Sequence, residues 1–172
     1  MYKRQAFKKV YYDEVMGRAV SKFVPADDLV VPYTATSLDD AEAIIHMVKM
    51  SENELRKQQV GGFYRDIELN PSYVNESESE KKERELDGTK KGRDEKVFTL
   101  LECHVNLDID GFNDVNAEGE PTGIKLPYIV TIEEGSKEIL SIRRNYEIGD
   151  PTKSKINYFV HFKFLPGLGF YG

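Results

Sequence analysis

Apolar and polar residues alternate along much of this chain with the period of two that a pleated strand imposes on its faces. The longest run is 97–109, where Val97, Thr99, Leu101, Cys103, Val105, Leu107 and Ile109 share one side. Phe98, Leu100, Glu102, His104, Asn106 and Asp108 share the other. The first set is the more apolar and is expected to face the core. Three more such runs fill the stretch from Leu126 to Phe164. Tyr128, Val130 and Ile132 alternate with Ile129 and Thr131, and Glu134–Lys137 reads as a hairpin loop. Leu140, Ile142, Arg144 and Tyr146 then alternate with Ile139, Ser141, Arg143 and Asn145 until Gly149-Asp150-Pro151. In the last run Ile156, Tyr158, Val160, Phe162 and Phe164 oppose Asn157, Phe159, His161 and Lys163. The pattern predicts that these three strands form an antiparallel meander with one buried face.

The first third continues the β character and adds helical signals. Arg4–Tyr12 and Arg18–Val24, separated by a turn at 13–17, predict a hairpin, and Leu29–Tyr33 a short extended piece after Pro25-Ala26-Asp27-Asp28. Ser37 with Asp40 resembles a helix start. Ala43–Met50 can extend that helix, because Leu38, Ala41, Ile45 and Val48 fall at three and four spacing, or form a strand. The strand is favoured because Ser51 with Glu54 opens a fresh capping box, whose helix runs to about Val60 and stops at Gly61-Gly62. Phe63–Leu69 is apolar and charged in turn up to Pro71. The expected fold class is therefore α+β, a mostly antiparallel β-sheet with a few short helices, in one unit spanning 1–172.

Charge changes this picture at one place. Between Asn75 and Lys96, 15 of 22 residues are charged, eight acidic and seven basic. Such a segment cannot be buried and is expected to be a flexible charged loop or linker, with a solvated helix at Glu80–Leu86 as the alternative. The 40% apolar content of the whole chain suffices for a modest core. A net charge of −6 argues against a free-standing DNA-binding module, which would present a basic face. A single cysteine, Cys103, excludes an internal disulfide and, with no signal peptide, favours a reducing compartment. No apolar run approaches a membrane span.

Candidate chemistry is sparse. Asn106, Asp108, Asp110 and Gly111 match the opening of a calcium loop, but Ala117 stands where the bidentate Glu belongs and Glu118 is one residue late. Gly167-Leu168-Gly169-Phe170-Tyr171-Gly172 spells G-x-G-x-x-G after a strand, without the helix and ribose-binding acid that a dinucleotide site needs. His46, His104 and His161 lie in separate predicted strands, and none shows a carboxylate at metal spacing. Cys103 and His104 are neighbours on a strand and face opposite ways. Cys103 reads as a small buried residue, and Arg143-Arg144, with Lys163, as a solvated group able to touch a phosphate or an acidic partner. Asn75-Glu76-Ser77 fits a glycosylation acceptor, relevant only on secretion. No catalytic, cofactor-binding or metal residue is assigned.

The order of short patterns resembles a known family. Phe23-Val24-Pro25-Ala26-Asp27-Asp28-Leu29-Val30-Val31-Pro32, then Ser37-Leu38-Asp39-Asp40-Ala41, Ile45-His46 and Met50-Ser51-Glu52-Asn53-Glu54-Leu55 are similar to the central part of portal proteins of tailed double-stranded-DNA phages. So are Leu126-Pro127-Tyr128-Ile129-Val130-Thr131, Ile142-Arg143-Arg144-Asn145-Tyr146, Tyr158-Phe159-Val160-His161-Phe162 and Pro166-Gly167-Leu168-Gly169-Phe170-Tyr171-Gly172, with the short-tailed phages the most similar branch. The resemblance implies an internal fragment of a longer, non-enzymatic subunit, from its peripheral wing-like part. It implies a homo-oligomeric ring, usually of twelve, at one capsid vertex of the virion, assembled in a bacterial host and in some cases encoded by a prophage. Implied partners are other portal subunits, terminase, scaffold or capsid proteins and tail adaptors. DNA would pass through the channel without sequence-specific binding, and no membrane is involved. The competing expectation is an intracellular metal- or ligand-binding module built on the acidic loop 106–120.

Overall fold

A computed structural model describes residues 5–13, 17–69 and 97–163. The charged stretch 75–96, including Asn75, and the terminal run Gly167–Gly172 lie outside the described residues.

Among the described residues the chain is mostly antiparallel β-sheet with one α-helix. Its elements are β1 (Gln5–Asp13), β2 (Arg18–Pro25), a 3-10 turn (Ala26–Asp28), β3 (Leu29–Val30), β4 (Ala43–Ser51), α1 (Glu52–Val60), β5 (Val97–Leu107), β6 (Leu126–Glu133), β7 (Ile139–Arg144) and β8 (Phe159–Lys163). They form two sheets, one of three strands in the order β2-β1-β8 and one of five in the order β3-β4-β5-β6-β7. All described pairings are antiparallel. The five-stranded sheet is a meander in which each strand neighbours the next in sequence, with α1 following β4.

The meander differs from the expected one in its last member. β8 does not follow β7 across the sheet; it leaves and pairs with β1, Phe7 opposite His161 and Lys9 opposite Phe159. The alternation within β8 is present, but its more apolar side points outward. Val160 and Phe162 are exposed, and Phe159 is buried. The same inversion occurs in β5. Phe98, Leu100 and His104 are buried, whereas Cys103, Val105 and Leu107 on the more apolar side are only half-buried.

The physical reason is that cover, not the apolar count, decides which face of a strand becomes the inside. One face of the five-stranded sheet carries Ile44, His46 and Val48 of β4, Phe98, Leu100, Glu102 and His104 of β5, and Ile129, Thr131 and Glu133 of β6. At one end it is covered by the three-stranded sheet, where Phe7, Val24 and Phe159 join Leu29, Ala35, Leu38, Ala41 and Ile44 in one core. At the other end α1 and the chain after it cover the face with Leu55 and Tyr64 on Phe98, Leu100 and Leu140. The opposite face receives a smaller cluster of Leu126, Tyr128 and Val130. β6 is thus buried on both sides, which explains its nearly unbroken apolar run.

Local signals mostly form what they predict. Ser51 Oγ accepts from the Glu54 amide at 3.3 Å and starts α1. Gly62, at φ +74°, takes the left-handed turn after the helix. Ser37 and Asp40 do not start a helix. Asp40 instead accepts hydrogen bonds from both amide and hydroxyl of Thr36 and of Ser37, closing a turn. Those bonds, the Thr36 hydroxyl foremost, hold its carboxyl well below the usual carboxylate range. At the β6–β7 hairpin the fully buried Glu133 accepts from the Gly135 and Ser136 amides at 3.0 and 2.6 Å. A register shift beside Thr131 and Ile132 lets β7 carry one extra residue.

Candidate functional site

Between the two sheets lies an ionic seam that strand alternation alone did not reveal. β4 and β5 run antiparallel with His46 directly opposite Glu102. Glu102 and His104, two residues apart on β5, share a face. Lys9, on the inner side of β1, reaches across from the three-stranded sheet. Its Nζ donates to both oxygens of Glu102 at 2.5 and 2.6 Å. His104 Nε2 lies 2.7 Å from Glu102 Oε1 and, because an ionised carboxylate only accepts, carries the proton of that bond. The Lys9, Glu102 and His104 side chains are 15%, 13% and 7% exposed.

Electrostatics follow from this geometry. Burial pushes the Glu102 carboxyl up, but the hydrogen bonds and charges of His104 and Lys9 outweigh it and hold the group down at about 2. Glu102 therefore stays ionised at any physiological pH. Burial lowers His46 to about 4, and the Lys9 charge adds to the shift, so His46 is neutral. Its Nδ1 is buried without a hydrogen-bond partner. The Phe159 ring packs edge-on against both histidines, at 5.5 Å from His46 and 5.2 Å from His104. Tyr64 is pushed up to about 12 by burial and by the Glu102 charge.

His104 has a carboxylate partner, and the signal was local: Glu102 stands two residues before it, on the same side of one strand. Lys9 could not be found that way, because it is brought in by a pairing between the chain's two ends. His161 stays apart, stacked on Phe7 at 4.7 Å. Among the described residues no group of three or more His, Cys, Asp or Glu could hold a metal ion. The Cys103 thiol is pushed up by burial and by Glu102, which keeps it protonated and unreactive.

The acidic loop spends its polar groups on itself. Asp108 Oδ1 accepts from Asn113 Nδ2 at 2.7 Å, and Asn113 Oδ1 accepts from the Gly111 amide at 3.1 Å. Asn116 Oδ1 accepts from the amides of Glu118 and Glu120. Asp114 pairs with Lys153 and accepts from the Thr122 hydroxyl at 2.6 Å. The carboxylates are thereby turned to different partners and do not converge.

Arg143 and Arg144 are also separated. They sit on opposite faces of β7, with Arg143 stacked over Phe63 at 4.2 Å and Arg144 over Phe112 at 5.9 Å. They do not form a joint phosphate clamp, and the Lys163 side chain lies outside the described residues. A cavity of about 20 Å³ beside His104 and Asn145 has room for one water-sized molecule. A more open hollow of about 290 Å³ is walled by Asp114, Lys125, Lys153 and Lys155. Two carbonyls, of Leu38 and Ala41, already hold the Lys155 ammonium.

The other functional feature is a surface. The outer face of the three-stranded sheet exposes Val10, Tyr12, Phe23, Val160 and Phe162, with Phe23 67% exposed. The register groups them: Lys8 stands between Phe23 and Val160, and Ala6 between Pro25 and Phe162. Lys8 is the charged residue among them, with its Nζ 5.3 Å from the centre of the Phe162 ring. A contiguous aromatic and aliphatic face of this kind marks an interaction surface. No helix among the described residues is long and apolar enough to cross a membrane. No protein-family model and no curated protein matches this chain.

Proposed function

We propose that this chain is a structural element of a portal-type subunit, working by shape and by contact with copies of itself. The observation that carries the reading is the outer face of the β2-β1-β8 sheet, which a single chain leaves open to water. Removing the remaining exposed apolar area of these five side chains from water favours association with a neighbour that covers them. The ordered sequence patterns that resemble those of portal proteins support this choice of assembly. The ionic seam and the self-bonded acidic loop supply rigidity.

In this reading the virion is the protein's place, ring neighbours and packaging proteins are its partners, and DNA passes without being held. Electron microscopy of the protein that carries this sequence tests it. Closed rings are expected. A monomer under all solution conditions would remove the portal reading.

A further inference from the structure

The seam joining the two sheets has an uneven set of charges. Facing His46 are Glu102 and His104 from β5, Lys9 from β1 and Lys22 from β2, with Phe159 of β8 against its ring. Tyr11 of β1 lies between the two lysines, whose ammonium groups each stand 5.7 Å from its ring. The single carboxylate among these groups already receives Lys9 and His104. Leu29 of β3 is opposite His46 on its other side and offers no polar atom. A proton added to His46 would have no acceptor at Nδ1 and two lysines nearby.

We propose that His46 is an acid-sensitive release between the two sheets: its protonation parts β2-β1-β8 from the meander while the pairing inside each sheet persists. The geometry favours parting over local rearrangement. His46 belongs to one sheet and the Lys9 and Lys22 side chains to the other, so repulsion between like charges acts across the seam. Within the meander, β4 is paired along its length with β5 and retains those bonds.

The direction of the pH effect follows from linkage. His46 is lowered to about 4 in the folded chain from an ordinary 6.5, so its unfolded or exposed form binds the proton more readily. Stability from this group is complete above about pH 6.5 and is lost as pH falls towards 4. Glu102, lowered to about 2 from 4.5, acts in a separate and more acidic window. This device does not depend on the portal reading.

The test is hydrogen exchange of the full chain between pH 7 and 2, corrected for intrinsic rates, with NMR titration of the His46 ring. Amides of β1, β2 and β8 are expected to lose protection together with His46 protonation, while β5 and β6 keep theirs. In His46→Leu the transition should move about one pH unit or more towards acid, into the Glu102 window. His161→Gln should leave the midpoint in place. An unshifted midpoint in His46→Leu would overturn the proposal, as would simultaneous loss of protection in both sheets. If that variant does not fold, the unmodified protein decides: ring titration that does not coincide with the loss of protection refutes it.

Discussion

At the scale of single residues, the decisive choice is the placement of a lysine, a glutamate and a histidine in an interior seam. Among the described residues, Lys9 is satisfied by Glu102, and Glu102 by Lys9 and His104. Removing one partner of a buried pair strands the other, at a cost of about 3–5 kcal/mol, whereas replacing both by apolar residues is often neutral. Glu102→Leu alone should therefore destabilise by about that amount, and adding Lys9→Met should recover most of it. Urea unfolding of the four proteins in the cycle reads the coupling, and additive losses would show that the pair does not act as a unit. This seam was only partly legible in the sequence. Glu102 and His104 shared a strand face on simple alternation, but Lys9 is 93 residues from Glu102 and nothing local marks the meeting.

At the scale of elements, strands and the helix were legible because each rests on local rules. Val97–Leu107 alternates without interruption, and α1 begins at the residue whose hydroxyl caps it. What escaped was the choice of inner face. In β5 the more apolar side was expected to be buried, yet there, as in β8, the other side meets the covering layer and so becomes the interior. The partner of β8 escaped for a related reason. Consecutive strands usually neighbour each other, but the free edge of β1 lay open and the run 145–158 was long enough to reach it. In α1 the cap and the packing can be weighed against each other. Ser51→Ala should lower stability by about 1 kcal/mol. Leu55→Ala should lower it by about 2–5 kcal/mol, because Leu55, 4% exposed, fills the core formed with Tyr64, Phe98, Leu100 and Leu140. Denaturation midpoints of the two variants check this order, and equal losses would show that capping, not packing, holds the helix.

At the scale of the whole molecule, the two sheets share a core at one end of the meander while the outer face of the smaller sheet stays uncovered. The five-stranded meander is clamped on one face by a second sheet and a helix, so it can act as a rigid platform. The outer side of the three-stranded sheet then presents Phe23, Val160 and Phe162 to whatever lies beside it. The proposed role, a protein that acts by being held among copies of itself, rests on this open face. Sedimentation velocity over a wide concentration range, comparing the wild-type chain with a Phe23→Asp/Val160→Asp variant, tests that claim most directly. The account predicts concentration-dependent association of the wild type that disappears in the variant, with the far-ultraviolet circular dichroism of both unchanged. A wild type that remains monomeric at every concentration, or a variant that associates equally well, would contradict it.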